Sequence, residues 1–216
     1  MIIDHTNRFY TNILPNGALI YSMNIVKNII PKVQTKRNWV TIDCKQCMDN
    51  AIVFIHSNVD FDRYEYLRKY KNLVLVASQN YTVQELRKRK LGDHVIYLPL
   101  SVDTKELRKY KNLKPHYRGG TCYAGRPDKP YVDGLRLQGN IDMLCGLTHP
   151  DMLKRLNNYQ YCYAVGITAI EAKFMGCTLL PFDKRYPDTR VWKILAPNEA
   201  AKILQKKLNK IDYNKQ

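Results

Sequence analysis

A chain of 216 residues and 25.3 kDa is long enough for one large domain or two small ones. Its 45% hydrophobic content supplies a core. No apolar run approaches the roughly 20 residues of a membrane span, and the start MIIDHTNRFY lacks the charged lead and apolar block of a secretory signal. The expectation is therefore a cytoplasmic protein without a transmembrane segment. Lys and Arg number 35 against 19 Asp and Glu, a net charge of +16 and a pI near 9.6. Such an excess points to DNA or another polyanion as a partner, because releasing condensed counterions favours binding to a phosphate backbone. The basic clusters, such as residues 32–37, 87–90 and 202–210, are interrupted by apolar residues at helical spacing, so each read alone is a solvated helix face. Sixteen tyrosines interleave with these charges, and Tyr beside Arg or Lys can stack on bases as well as contact phosphates.

From the beginning the chain alternates strand and helix. Residues 18–22 read as a strand, 24–30 as a helix stopped by Pro31, and 39–43 as a strand. AIVFIH, 51–56, is a continuous apolar run of the kind buried on both faces of a parallel sheet. A helix over 64–70, a strand over 73–77, a helix over 83–90 and a strand over 95–98 complete a βαβ series. Pro99 breaks the pattern, and the polar, basic stretch 105–120 ends in Gly-Gly. The domain boundary is placed there, with an N-terminal lobe over 1–104 and a C-terminal lobe over 105–216. The second lobe opens with a strand at 121–124, has an ambiguous stretch at 134–140, then a strand at 141–144 and a helix at 151–156 behind Pro150. Residues 198–208 form a last amphipathic helix.

Cysteine is unpatterned. Cys44 and Cys47 form one C-x-x-C, but no second pair accompanies it and the histidines are scattered singly, so no zinc site is expected. Reduced thiols in strand-like runs suit a cytosolic chain.

The most informative stretch is YCYAVGITAIEAKFMGCTLLPFDKRYP, 161–187. A short apolar run meets Gly166, a helical pattern follows from Ile167 to Met175, Gly176 closes it, and TLLPFD reads as the next strand. A glycine between a buried strand and a helix lets a ligand approach the backbone, and the free N–H groups and dipole of the helix start favour a phosphate there. Thr168 adds a hydroxyl beside them, and Glu171, one turn on, is placed to accept hydrogen bonds from a ribose.

VGITAIEAKFMGCTLLPFD resembles the donor-binding segment of GT-B glycosyltransferases. In that family a small-residue turn leads into a helix bearing Glu-Ala, then a glycine and a strand. HVIYLPLSVDTKEL, 94–107, is similar to the family's inter-domain segment, and TCYAGRPDK, 121–129, to its strand ending in Gly-Arg with a Lys beyond. The resemblance implies an α/β protein of two small Rossmann-like lobes with parallel sheets and a cleft between them. It implies that backbone amides at Gly166 and Ile167 hold a diphosphate, and that Glu171 holds the ribose of a UDP- or GDP-sugar. Gly125, Arg126 and Lys129 would assist at the diphosphate, and His149 matches a loop preceding the donor site. Tyr163 stands where many retaining members carry an acid.

At the end of the AIVFIH strand, His56 is a candidate general base for an acceptor hydroxyl, because its ordinary pKa lies near neutrality. Asp60 is the alternative base. With Asp62 it forms Asp-Phe-Asp, the pattern by which GT-A enzymes hold a divalent metal, but carboxylates at i and i+2 recur by chance and no metal is expected. The implied function is transfer of a sugar from a nucleotide-sugar to a hydroxyl, with no obligatory cofactor. By similarity to phage DNA glucosyltransferases, the acceptor expected is a hydroxymethylated DNA base flipped from its duplex; a viral enzyme would work in the host cytoplasm. Two alternatives stand beside it: a non-catalytic GT-B-like module that binds nucleic acid or a host protein, and a glycosyltransferase acting on a cell-surface polymer.

Overall fold

A computed structural model describes residues 2–3, 17–41, 46–55, 60–111, 119–127 and 132–213. They form two compact units, each built on its own parallel sheet. One unit gathers Ala18–Pro99 and Pro197–Gln216, the other Leu100–Ala196. The division differs from the expected 1–104 and 105–216 in that the final helix belongs with the first unit. The change of unit also comes a few residues early: Val102 already donates its N–H to the Leu195 carbonyl at 3.1 Å.

In the first unit, β1 (Ile2–Ile3), β2 (Asn38–Val40), β3 (Ala51–Ile55), β4 (Val74–Ala77) and β5 (His94–Tyr97) lie side by side in chain order, all parallel. Every residue of β3 and β4 is buried, which is why these strands read as unbroken apolar runs rather than alternating ones. Val53, Ile55, Leu75 and Ala77 pack with Phe61, Tyr64, Leu67, Val83 and Leu86 in one core.

Two elements differ from their sequence assignments. Residues 18–22, expected as a strand, belong to helix α1 (Gly17–Asn24), which runs into a π-type segment, Ile25–Ile29. Tyr21, Ile25 and Ile29 recur every fourth residue and are all buried, a helical stripe longer than the five-residue window that suggested a strand. Asp62–Lys69 is a 3₁₀ helix rather than an α-helix. Phe61, Tyr64 and Leu67 are buried at a strict spacing of three, the period of a 3₁₀ helix, and bring one edge of it onto the sheet.

α2 (Asn80–Lys88) joins β4 to β5. The last helix of the chain, α7 (Pro197–Tyr213), buries Ala200, Ala201, Leu204 and Leu208 and lies against the turns at 25–32. Its far end is clipped by Arg37, itself 6% exposed, which bonds Asp212 at 2.7 Å, Asn50 Oδ1 at 3.2 Å and the Asn72 carbonyl at 3.0 Å. Asn50 and Asn72 have left-handed backbones and stand immediately before β3 and β4, so this network ties the helix to the N-terminal edge of the sheet.

After α3 (Thr104–Arg108), which Asp103 caps, the second unit runs β6 (Thr121–Ala124), α4 (Val132–Arg136), β7 (Ile141–Leu144), α5 (His149–Leu156), β8 (Tyr161–Tyr163), α6 (Ile167–Met175) and β9 (Thr178–Leu180). The ambiguous stretch at 134–140 is thus the end of a short helix and a turn. All strands are parallel, in the spatial order β7-β6-β8-β9. The chain steps one way from β6 to β7, then reverses past β6 to β8 and on to β9. With right-handed crossovers, α4 covers one face and α5 and α6 the other, where they touch. Among the described residues, no helix is long and apolar enough to cross a membrane.

Candidate functional site

An open parallel sheet leaves a crevice beyond the carboxyl ends of two adjacent strands whose connections depart in opposite directions. In the second unit those strands are β6 and β8, paired in register from Thr121↔Tyr161 to Tyr123↔Tyr163. Beyond β6 come Gly125 and Arg126; beyond β8 come Ala164, Val165 and Gly166, then the first turn of α6. The topology therefore brings together two of the segments on which the sequence reading rested.

Gly166 has φ 68° and ψ −140°, a combination that L side chains rarely adopt. A Cβ placed on it would meet no atom of the described residues within 4 Å, so backbone conformation rather than crowding demands glycine, and the space in front of it is open among those residues. The helix ladder begins with Ile170 donating to the Gly166 carbonyl at 3.4 Å. The N–H groups of Ile167, Thr168 and Ala169 precede that bond, and Gly166 at the N-cap has no side chain to cap them. α5 is capped by Thr148 and α3 by Asp103, whereas α2, like α6, has no side-chain cap. Ile167 is buried and Thr168 half-buried, so Ile167 offers only its amide to a ligand, whereas Thr168 has its hydroxyl as well.

Glu171 lies one turn into α6 and is 1% exposed. Helical side chains lean toward the helix start, which directs its carboxylate back to the end of the helix where Gly166 sits. Oε1 is 2.8 Å from Nε2 of His149. Oε2 is buried with no hydrogen-bond partner among the described residues. With the carboxylate ionised, the shared proton sits on the His149 Nε2, and Oε2 can only accept. An orphaned, buried, charged acceptor costs free energy, and a ligand hydroxyl is the kind of donor that relieves it.

His149 is the first residue of α5, pinned by the Thr148 cap, whose Oγ1 accepts from the Asp151 amide at 3.3 Å. It reaches Glu171 because α5 and α6 share a face of the sheet. Beneath this face lie Cys122 and Cys162, register partners and fully buried; the neighbouring thiol of Cys122 and burial hold the Cys162 thiol well above its ordinary pKa. On the opposite face Tyr123 and Tyr163 both meet Phe182 edge-on, with ring centroids 5.8 and 5.7 Å apart. Tyr163 is thus an aromatic packing residue.

The remaining candidates divide. Gly125 has a local reason to be glycine: a Cβ there would stand 2.6 Å from the Tyr123 hydroxyl, which donates to the Arg126 carbonyl at 2.8 Å. Arg126 is exposed at the end of β6, across the crevice from Gly166. Lys129 and His56 lie outside the described residues. Asp60 is exposed, and Asp62 is engaged by Arg89 at 2.5 Å. Among the described residues, no group of three or more His, Cys, Asp or Glu comes together as a metal site would require.

Sequence reasoning missed Asp183, just after β9: it is 3% exposed and held by the Arg185 guanidinium, with Nη2 to Oδ2 at 2.5 Å. Its signal is the short-range Asp-x-Arg spacing in FDKR, which allows that pairing. No protein-family model matches the chain, and no characterised protein is significantly similar to it in sequence.

Proposed function

We propose that the chain is a nucleotide-sugar-dependent glycosyltransferase whose donor site is the crevice between β6 and β8. The observation that carries the reading is Glu171, whose buried, unpartnered Oε2 stands one turn behind an uncapped helix start with open space before it. A diphosphate would sit on the first amides of α6, where the helix dipole favours negative charge. Arg126 supplies a guanidinium suited to bidentate contact with a phosphate. A ribose hydroxyl donates to Oε2 of Glu171, which His149 holds in place through Oε1. These groups also serve the reaction: as the bond from the sugar C1 to the phosphate oxygen breaks, charge grows on the diphosphate that the amides and Arg126 hold. The acceptor oxygen bonds to C1, and its proton passes to a general base.

A second reading, a module that binds a nucleotide-sugar without turning it over, is favoured by one observation: the candidate base Asp60 is exposed to solvent. One experiment tests both. The protein is incubated with UDP- and GDP-sugars and assayed for released nucleoside diphosphate and for thermal stabilisation. Release with stabilisation supports the transferase, stabilisation alone supports the binding module, and neither response with any sugar nucleotide overturns the donor site.

A further inference from the structure

Within the first unit, α7 and the turn at Lys32 enclose an open groove of about 690 Å³. Four of its lining residues are lysines, Lys32, Lys202, Lys206 and Lys210, all exposed, and none has an acidic partner among the described residues. The three on α7 recur every fourth residue, one above the other on a single face, about 6 Å apart at the rise of an α-helix. Between them lie Asn198, Gln205 and Asn209, and no acidic side chain lines the groove.

The groove is built rather than incidental. Gln205 accepts from the Gln34 amide at 2.6 Å and donates to the Gln34 carbonyl at 3.0 Å and to Asn209 Oδ1 at 2.7 Å, which fixes one wall to the helix. Of the two carboxylates on α7, Asp212 is taken by Arg37, and Glu199 lies on the first turn, outside the lining. Lys207, on the same helix, turns away from the groove and donates to the Tyr97 carbonyl at 2.9 Å.

We infer that this groove binds the phosphate backbone of a nucleic acid. A ladder of ammonium groups interleaved with side-chain amides is the donor set by which proteins grip phosphates, and it carries no sequence information. A membrane surface fits less well. An amphipathic helix that enters a bilayer interface must present its apolar side, whereas Ala200, Ala201, Leu204 and Leu208 are already consumed by the core. The inference rests on the groove alone and not on the donor site, which lies in the other unit.

The test is fluorescence anisotropy with a labelled 20-nucleotide single strand and its duplex, titrated between 50 and 200 mM salt. Four phosphate contacts to duplex give a logarithmic salt slope of about −3.6, a fall in affinity of about 150-fold over that range. K202A/K206A/K210A should bring the slope near −1 and the fall to about 3-fold. The comparison protein is K88A/K154A/K193A, with the same loss of charge at exposed sites elsewhere. Loss confined to the groove variant supports the inference. Equal loss in both, no loss in either, or tighter binding to 3:1 phosphatidylcholine:phosphatidylserine vesicles than to either oligonucleotide overturns it. Circular dichroism and the melting temperature show that the variants fold. Donor-induced thermal shifts on the groove variant stay at the wild-type value, which separates failure here from failure of the glycosyltransferase reading.

Discussion

Replacing Glu171 by Gln keeps the shape of the side chain and its carbonyl oxygen toward His149, while the acceptor at Oε2 becomes an amide nitrogen. If Oε2 receives a ligand hydroxyl, the variant loses a hydrogen bond to an ionised group, worth about 1.5–3 kcal/mol, and donor affinity falls about 10- to 150-fold. Without ligand, two changes oppose one another. The contact with His149 weakens as its acceptor loses charge, but the desolvation cost of an unpartnered carboxylate oxygen disappears, so the stability of the free protein moves by no more than about 1 kcal/mol. Thermal unfolding reads both quantities. At a donor concentration of 100 times the dissociation constant the wild type gains about 2.7 kcal/mol, which for a chain of this length raises the midpoint by about 5–11 °C. A variant weakened about 30-fold gains about 0.9 kcal/mol at the same concentration, a shift of about 2–4 °C. A purely architectural role for the His149–Glu171 pair predicts the reverse pattern, a lowered midpoint without ligand and an undiminished shift with it. That pattern would refute Oε2 as a ligand acceptor.

Gly166→Ala meets no steric obstacle at Cβ, so its cost is the backbone conformation alone, about 1–3 kcal/mol; urea unfolding should show that loss, and an unchanged midpoint means that the turn relaxes freely. Arg37→Met removes the clip between α7 and the sheet edge and leaves the Asn72 carbonyl without this donor; since Asp212 is half-exposed, the expected loss is about 2–3 kcal/mol, measured the same way. The Arg68 guanidinium holds the carboxyl of Glu65, a half-buried residue, below its usual range, so the contribution of Glu65 is present above the unfolded value of about 4.3 and lost as pH falls through the folded one. Glu65→Gln should therefore flatten the acid limb of the stability profile below about pH 4.3 and leave neutral pH unchanged, and the difference should shrink in high salt.

Part of this organisation is legible in the chain because it depends on local chemistry. AIVFI and LVLVA announce strands buried on both faces, and their parallel pairing is what makes the apolar runs continuous. Gly166 and Gly176 bracket α6 where glycine-compatible backbone is required, the first at φ 68° and the second at φ 100°. The strict threefold spacing of Phe61, Tyr64 and Leu67 encodes the helix expected at 64–70 just as directly, and its period of three marks it as 3₁₀. The strand expected at 18–22 failed for the opposite reason: four apolar residues in a row fit either period, and only the burial of Tyr21, Ile25 and Ile29 along one stripe separates them.

What the sequence by itself determined is thus most of the elements, the parallel α/β class and the glycine turn ahead of Glu171, all consequences of side-chain periodicity and backbone preference within a few residues. The tertiary structure alone decided that β6 and β8 are neighbours, that His149 meets a carboxylate 22 positions later, and that α7 joins the first unit, where its lysines line a groove. These pairings depend on the order of strands in a sheet and on which helices share its face. Both are set by burying apolar area across long separations in the chain, for which no local pattern carries the information.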